Sequence, residues 1–178
     1  HTYHTYQLVQ SILSLCDTQN GHNEVHLPEQ FVAKRSYDEL LVEKVQPKLV
    51  LSSIYLTENE WIKFGKYRIF VGNLLSHQPT YKNSKAVYYF NSEYIDKPLF
   101  VRTFKQGDRI HLPGMEQAKR ISRIFIDEKI PVDERQLLPV IATEDEIVAV
   151  GSIRHSKKVS KSKRPFDNCV IIIKDDSL

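Results

Sequence analysis

The side chains whose type and spacing bear most on chemistry are seven cations: Arg102, Arg109, Lys119, Arg120, Arg123, Arg135 and Arg154. A guanidinium presents a planar fork of donors that matches a phosphate, and a lysine adds a mobile point charge. Cations gathered on one face attract a polyanion without reading its sequence. Gly107-Asp108-Arg109 reads as a tight turn: glycine can take a positive backbone angle, and aspartate can bond the amides of its own turn. Such a turn aims Arg109 outward; the structural alternative pairs Arg109 with Asp108 or Asp127. Lys119, Arg120 and Arg123 stand at helical spacing beside Ala118, Ile121, Ile124 and Phe125. One amphipathic helix from Met115 to a stop at Pro131 puts the cations on one face and the apolar residues on the other. Pro113-Gly114 ahead of it is turn chemistry, leaving free amides at the positive end of the helix dipole. An ordinary solvated helix face is the alternative reading of the same pattern. Lys157, Lys158, Lys161, Lys163 and Arg164 read as a flexible basic loop that is either solvated or adds non-specific attraction.

The balance of charge agrees with a polyanion partner. The 178 residues carry a formal net charge of +3, yet residues 101–164 hold 14 Lys and Arg against 9 Asp and Glu, a local +5 that leaves −2 for the rest. No apolar run approaches the ~20 residues that span a bilayer, so no membrane partner is expected. Cys16 and Cys169 lie near opposite ends and offer neither a metal spacing nor a disulfide framework. Each reads as a small apolar residue in a reduced, cytoplasmic compartment. The opening His-Thr-Tyr-His-Thr-Tyr6 lacks an initiator methionine and a signal-peptide core, and is read as the start of a cut piece of a longer chain.

Other chemistries find no support in the sequence. His22-Asn-Glu-Val-His26 is not the two-histidine helix motif of zinc hydrolases, and Pro28 follows closely. His111 and His155 are isolated, and no Ser/His/Asp or Cys/His set can be assembled. No two of the six glycines are adjacent, and neither a P-loop nor a dinucleotide fingerprint is present. No catalytic residue, cofactor site or metal site is therefore expected in this chain.

The elements that must position the cations follow from periodicity. Residues 3–16 read as a helix, with positions 9, 12, 13 and 16 on one face and Gly21 as its cap. His26 onward reads as a strand, a turn at Ser36 to Glu39, and a second strand, broken by Gln46 and Pro47. Leu49 to Leu56 is a β-rich run. Trp61 to Val71 alternates about Gly65-Lys66, a hairpin signal. Leu74 to Lys85 is a loop, and Ala86 to Phe90 is a strand rich in aromatics. Pro98 introduces a strand from Leu99 to Phe104. Leu137 to Ala142 and Ile147 to Val150 read as strands around Glu144-Asp145-Glu146, and Cys169 to Lys174 is the final strand. The fold class is α+β: a short helical leader, then a mainly antiparallel or mixed β body with one or two helices packed on the sheet. The expected divisions are 1–24, 25–97 and 98–178.

The ordered set Arg102-x-x-x-x-Gly107-Asp108-Arg109, Pro113-Gly114, Lys119-Arg120-x-x-x-x-Phe125-x-Asp127-x-Lys129-Ile130-Pro131, Glu134-Arg135-x-x-x-Pro139 and Ile147-Val-Ala-Val-Gly-Ser-Ile-Arg154 resembles the C-terminal substrate-recognition domain of bacterial tRNA(Ile)-lysidine synthetases. Glu116-Gln117-Ala118 departs from the family, where Gly-rich, less acidic residues are common. The resemblance is strong over 99–154 and loose before 85. It implies residues 1–24 as the end of a helical linker domain, 25–97 as a β-rich body and 98–178 as a tRNA-recognition domain. It implies that the parent joins lysine to cytidine 34 of an isoleucine tRNA with a CAU anticodon, using ATP and magnesium in an N-terminal domain that this chain lacks. The chain alone would be inactive and would hold the tRNA, by its acceptor stem, for its own N-terminal catalytic domain. The seven cations would then be the RNA-binding residues. The rival reading is a structural or homodimerising domain, with Tyr88, Tyr89 and Phe90 at an exposed β edge; a stand-alone enzyme comes third.

Overall fold

A computed structural model describes residues 2–17, 24–36, 39–44 and 51–176. The chain forms two compact units, His1–Leu49 and Val50–Leu178.

In the first unit, helix α1 (Thr2–Asp17) accompanies a three-stranded antiparallel sheet in the order β1 (Glu24–Leu27), β2 (Phe31–Ser36), β3 (Glu39–Lys44). The helix is where the periodicity places it, but its inward face differs. Leu15 is buried and Leu8 and Ile12 are half-buried, whereas Val9 and Leu13 are exposed. Positions 8, 12 and 15 make an i, i+4, i+7 stripe, and Arg35 fixes the helix end by donating to the carbonyls of Leu15 and Cys16. The single strand expected after His26 is two, because a 3-10 turn at Pro28–Gln30 folds β1 back on β2. Gly21, His22, the turn centre at 37–38 and the break at Gln46-Pro47 lie outside the described residues.

The second unit packs a four-stranded sheet, β5 (Glu60–Phe64), β6 (Tyr67–Asn73), β14 (Cys169–Asp175), β7 (Ser84–Phe90), with a five-stranded one. The latter runs β13 (Arg154–His155), β12 (Ile147–Val150), β11 (Val140–Ala142), β8 (Phe100–Arg102), β4 (Ile54–Tyr55). The paired strands in both sheets are antiparallel. The hairpin turns at Gly65-Lys66 as expected, with Gly65 at φ 58°. Last in sequence, β14 is central in space, antiparallel to both β6 and β7. Its run Cys169-Val-Ile-Ile-Ile173 is buried throughout, which a strand covered on both faces requires. Residues from either side of position 97/98 thus share one sheet. Cys169, Ile171 and Ile173 join the main core with Val101, Phe125, Val140 and Val148, while Val170 and Ile172 pack with Phe70 on the opposite face. Among the described residues, no helix is long and apolar enough to cross a membrane.

Candidate nucleic-acid interface

The cations cluster around a short hairpin and a short helix. β9 (Arg109–Ile110) pairs with β10 (Lys119–Arg120), and α2 (Ile121–Asp127) follows at once. The helix expected from Met115 therefore begins only at Ile121. Pro113 and Gly114 form a separate turn, with Gly114 at φ 74° and the Met115 amide donating to the Leu112 carbonyl at 3.2 Å. They are not the helix N-terminus; the Ile121 amide there donates to the Asp108 carbonyl at 2.9 Å. Nor does Pro131 end the helix. Lys129 takes a left-handed φ of 54°, and the Ile130 amide reaches back to the Phe125 carbonyl at 2.8 Å, a Schellman-type close. Ile121, Ile124 and Phe125 are buried as the apolar face requires.

Each cation has a definite place. The strand register sets Arg109 opposite Arg120, and Arg123 follows one helical turn on, so three guanidinium side chains rise from adjoining positions. Arg109 donates to the Ala118 carbonyl at 3.1 Å, which steadies it without neutralising it. Two consecutive carboxylates at the end of α2 tether Lys119, Arg123 and Arg154. Asp127 takes Lys119 at 2.8 Å and Arg123 at 3.5 Å, and Glu128 takes Arg154. The Lys119 hydrogen bond, opposed by desolvation and reinforced by the charges of Lys119, Arg123 and Arg154, holds the Asp127 carboxyl below its usual range. A cleft of about 230 Å³ opens beside Arg154, lined by Leu112, Pro113, Ile153, Arg154, His155 and Lys161. His155 Nδ1 lies 3.1 Å from the Ser156 carbonyl, and its ring packs on Tyr88 at 5.3 Å.

Arg102 and Arg135 are placed differently. Arg102 makes a two-pronged bond to Asp108, Nη1 to Oδ2 at 2.7 Å and Nη2 to Oδ1 at 3.0 Å, and both side chains are nearly buried. Asp108 also accepts the Lys105 amide at 2.8 Å and closes the turn in which Gly107 sits at φ 93°. Arg135 donates to the Ile130 carbonyl at 3.0 Å, with its guanidinium 5.9 Å from the Phe125 ring centre. Arg109 thus pairs with neither Asp108 nor Asp127.

Three further expectations meet the structure. The run from Ser156 to Arg164 is held down rather than loose. Ser160 exchanges two backbone bonds with Tyr89, the Lys157 amide donates to the His111 carbonyl, Lys158 pairs with Glu146, and Arg164 grips the buried Asp167. Tyr88 and Phe90 are buried and cannot form an exposed aromatic edge; the Tyr88 hydroxyl donates to the Gly151 carbonyl at 3.0 Å. Burial pushes that phenol up to about 12. Cys169 is buried and Cys16 exposed. Among the described residues no three His, Cys, Asp or Glu side chains come together as a metal site. The tethering role of Asp127 was detectable in the sequence, since it stands four residues after Arg123. That of Glu128 toward Arg154 was not.

The mainly antiparallel α+β fold has known counterparts. Residues 99–166 match the family described as TilS substrate C-terminal domain. Over that stretch the chain is similar to the family, and over most of its length it is similar to tRNA(Ile)-lysidine synthases. A tRNA(Ile)-lysidine synthase from Caldanaerobacter subterraneus subsp. tengcongensis is 31% identical over 172 residues, covering 93% of this chain and 36% of the relative. A bifunctional protein TilS/HprT from Listeria monocytogenes serotype 4b is 31% identical over 170 residues, covering 92% and 25% respectively. The chain thus spans about a third or a quarter of the length of these relatives. A crystal structure of a TilS C-terminal domain superposes with a TM-score of 0.57 at 23% identity, over 70% of this chain and 98% of that one, and shows the likeness of fold.

Proposed function

We propose that this chain is the tRNA-holding part of a tRNA(Ile)-lysidine synthase, and that the ridge of Arg109, Arg120 and Arg123, continued by Lys119 and Arg154, lies along tRNA phosphates. The observation that carries it is the register that sets Arg109 opposite Arg120, one helical turn from Arg123. Like charges directly opposite one another destabilise a strand pair, and a phosphate ridge relieves the repulsion. Arg102 and Arg135 support this face from behind, fixing the Gly107 turn and the exit of α2. The whole enzyme, on this reading, joins lysine to cytidine 34 of the CAU-anticodon isoleucine tRNA with ATP and magnesium in an N-terminal catalytic domain. The present chain grips the acceptor stem. Holding the tRNA contributes to rate, because orientation on the enzyme replaces entropy otherwise lost at the chemical step.

The test is tRNA binding by the 178-residue chain in filter assays across a salt series. Arg109→Ala, Arg120→Ala and Arg123→Ala should each weaken binding and flatten the slope of log affinity against log salt by about one unit per lost phosphate contact. Unchanged slopes in variants that melt like the wild type would refute the assignment.

A further inference from the structure

The outer face of the four-stranded sheet carries a second arrangement, away from α2. Lys63, Arg68 and Lys174 are direct register partners across β5, β6 and β14, so three cations stand in one row. The next row along the strands is apolar: Trp61, Phe70, Ile172 and Val87. Trp61 lies at the junction of the two. It is 37% exposed, its ring centre is 5.3 Å from that of Phe70, and Lys174 Nζ and the Arg68 guanidinium carbon lie 4.6 and 5.9 Å from it. The floor beneath is rigid. Phe70 is 1% exposed, and Gly72 leaves the space its ring fills, since a Cβ there would sit 2.3 Å from Phe70 Cε1. Asp176 pairs with Arg68 at 2.7 Å, and no carboxylate pair is found for Lys63 or Lys174 among the described residues.

We infer that this face binds an unpaired stretch of RNA, with one base stacked on Trp61 and the flanking phosphates on Lys63, Arg68 and Lys174. Adjacent like charges across a sheet are unfavourable, and a phosphate in the row reverses the sign of that interaction. An exposed indole on a fixed sheet face offers a platform to any base, and aromatic rings beside a basic track are how single strands are held without sequence readout. A duplex keeps its bases stacked on each other and leaves Trp61 without a partner, so the occupant is single-stranded.

Trp61 is the sole tryptophan of the chain, so its fluorescence reports this face alone. Titrating the 178-residue chain with oligoadenylate of about six nucleotides should quench Trp61 saturably, with an affinity that falls as salt rises. Lys63→Ala with Lys174→Ala should weaken the quenching titration and flatten its salt slope by about two units. Trp61→Ala should weaken binding of a labelled oligonucleotide about ten-fold, with Trp61→Phe in between, in variants that melt like the wild type. Quenching should survive Arg109→Ala and Arg123→Ala, which separates this inference from the tRNA-holding role. Absence of quenching, or equal quenching by a blunt-ended RNA duplex with no unpaired bases, would overturn it, whatever the filter assays on tRNA show.

Discussion

Replacing Asp108 by alanine distinguishes an RNA ligand from a structural strut at Arg102. The Asp108 carboxylate accepts both prongs of the Arg102 guanidinium, at 2.7 and 3.0 Å, and the Lys105 amide at 2.8 Å. The two side chains are only 13% and 11% exposed. Removing one partner of a buried ion pair strands the other charge, at a cost of about 3–5 kcal/mol. Some water still reaches the pair, and Arg102 keeps its bond to the Thr103 carbonyl at 3.0 Å, so the lower end applies. A loss of about 3 kcal/mol is a large share of a typical domain stability of about 5–15 kcal/mol. With a urea slope of about 1–3 kcal/mol per molar, the unfolding midpoint should drop by about 1–3 M. Arg102→Met added to Asp108→Ala should restore part of that loss, because no lone charge then remains buried. Urea unfolding followed by circular dichroism on the four proteins of the cycle gives the coupling. Should Asp108→Ala unfold within about 0.5 kcal/mol of the wild type while losing tRNA, Arg102 is a ligand and the strut argument fails.

Four further outcomes are expected. Asp127→Asn frees Lys119 and Arg123 and should tighten tRNA binding several-fold at low salt with a steeper salt slope; weaker binding would count against the phosphate-ridge assignment. Burial pushes the Asp167 carboxyl up, but the side-chain and backbone hydrogen bonds from Arg164 and its charge outweigh burial and hold it below its ordinary 3.8. A depressed folded value stabilises above the unfolded one, so the advantage of wild type over Asp167→Asn should be full at neutral pH and shrink below about pH 4; an equal advantage at pH 7 and pH 3 in denaturant titrations would contradict this. Lys129→Gly should stabilise by about 0.5–1 kcal/mol and raise the melting temperature, because Lys129 holds the left-handed position that closes α2. A lower melting temperature would show that the lysine side chain matters more than the backbone. Gly72→Ala should cost about 1–3 kcal/mol by driving a methyl into the Phe70 ring, and should shift Trp61 emission because that ring supports it; a silent substitution would mean the outer face is not tightly packed.

Much of the fold was legible in local pattern. Alternation about Gly65-Lys66 located the β5–β6 hairpin, and the period of Ile121, Ile124 and Phe125 located the buried face of α2. Periodicity was less informative about where elements begin and end. Lys119 and Arg120 continue the helical pattern in sequence, yet they are a strand, because pairing with Arg109 and Ile110 satisfies backbone groups that an earlier helix start would leave to the helix alone. Pro131 looked like the stop, but the chain leaves the helix at Lys129, which no propensity marks. The inward stripe of α1 was ambiguous because apolar residues stand on adjacent positions 8, 9, 12, 13 and 15, and the packing of its own unit selects 8, 12 and 15.

The candidate site divides in the same way. By itself, the sequence determined that a basic segment exists, that Gly107-Asp108 makes a turn, and that the ordered motifs from Arg102 to Arg154 resemble one family; these depend on residue type and short spacing. Only the tertiary structure decided that Arg102 is committed to Asp108, that Arg154 reaches Glu128, that Tyr88 and Phe90 are interior, and that Lys63, Arg68 and Lys174 form one row. Lys174 lies more than a hundred residues from Arg68, and only the insertion of β14 beside β6 makes them neighbours. Strand order and register arise from burying the two faces of β14 at once, a condition on the whole unit that no local stretch of sequence expresses.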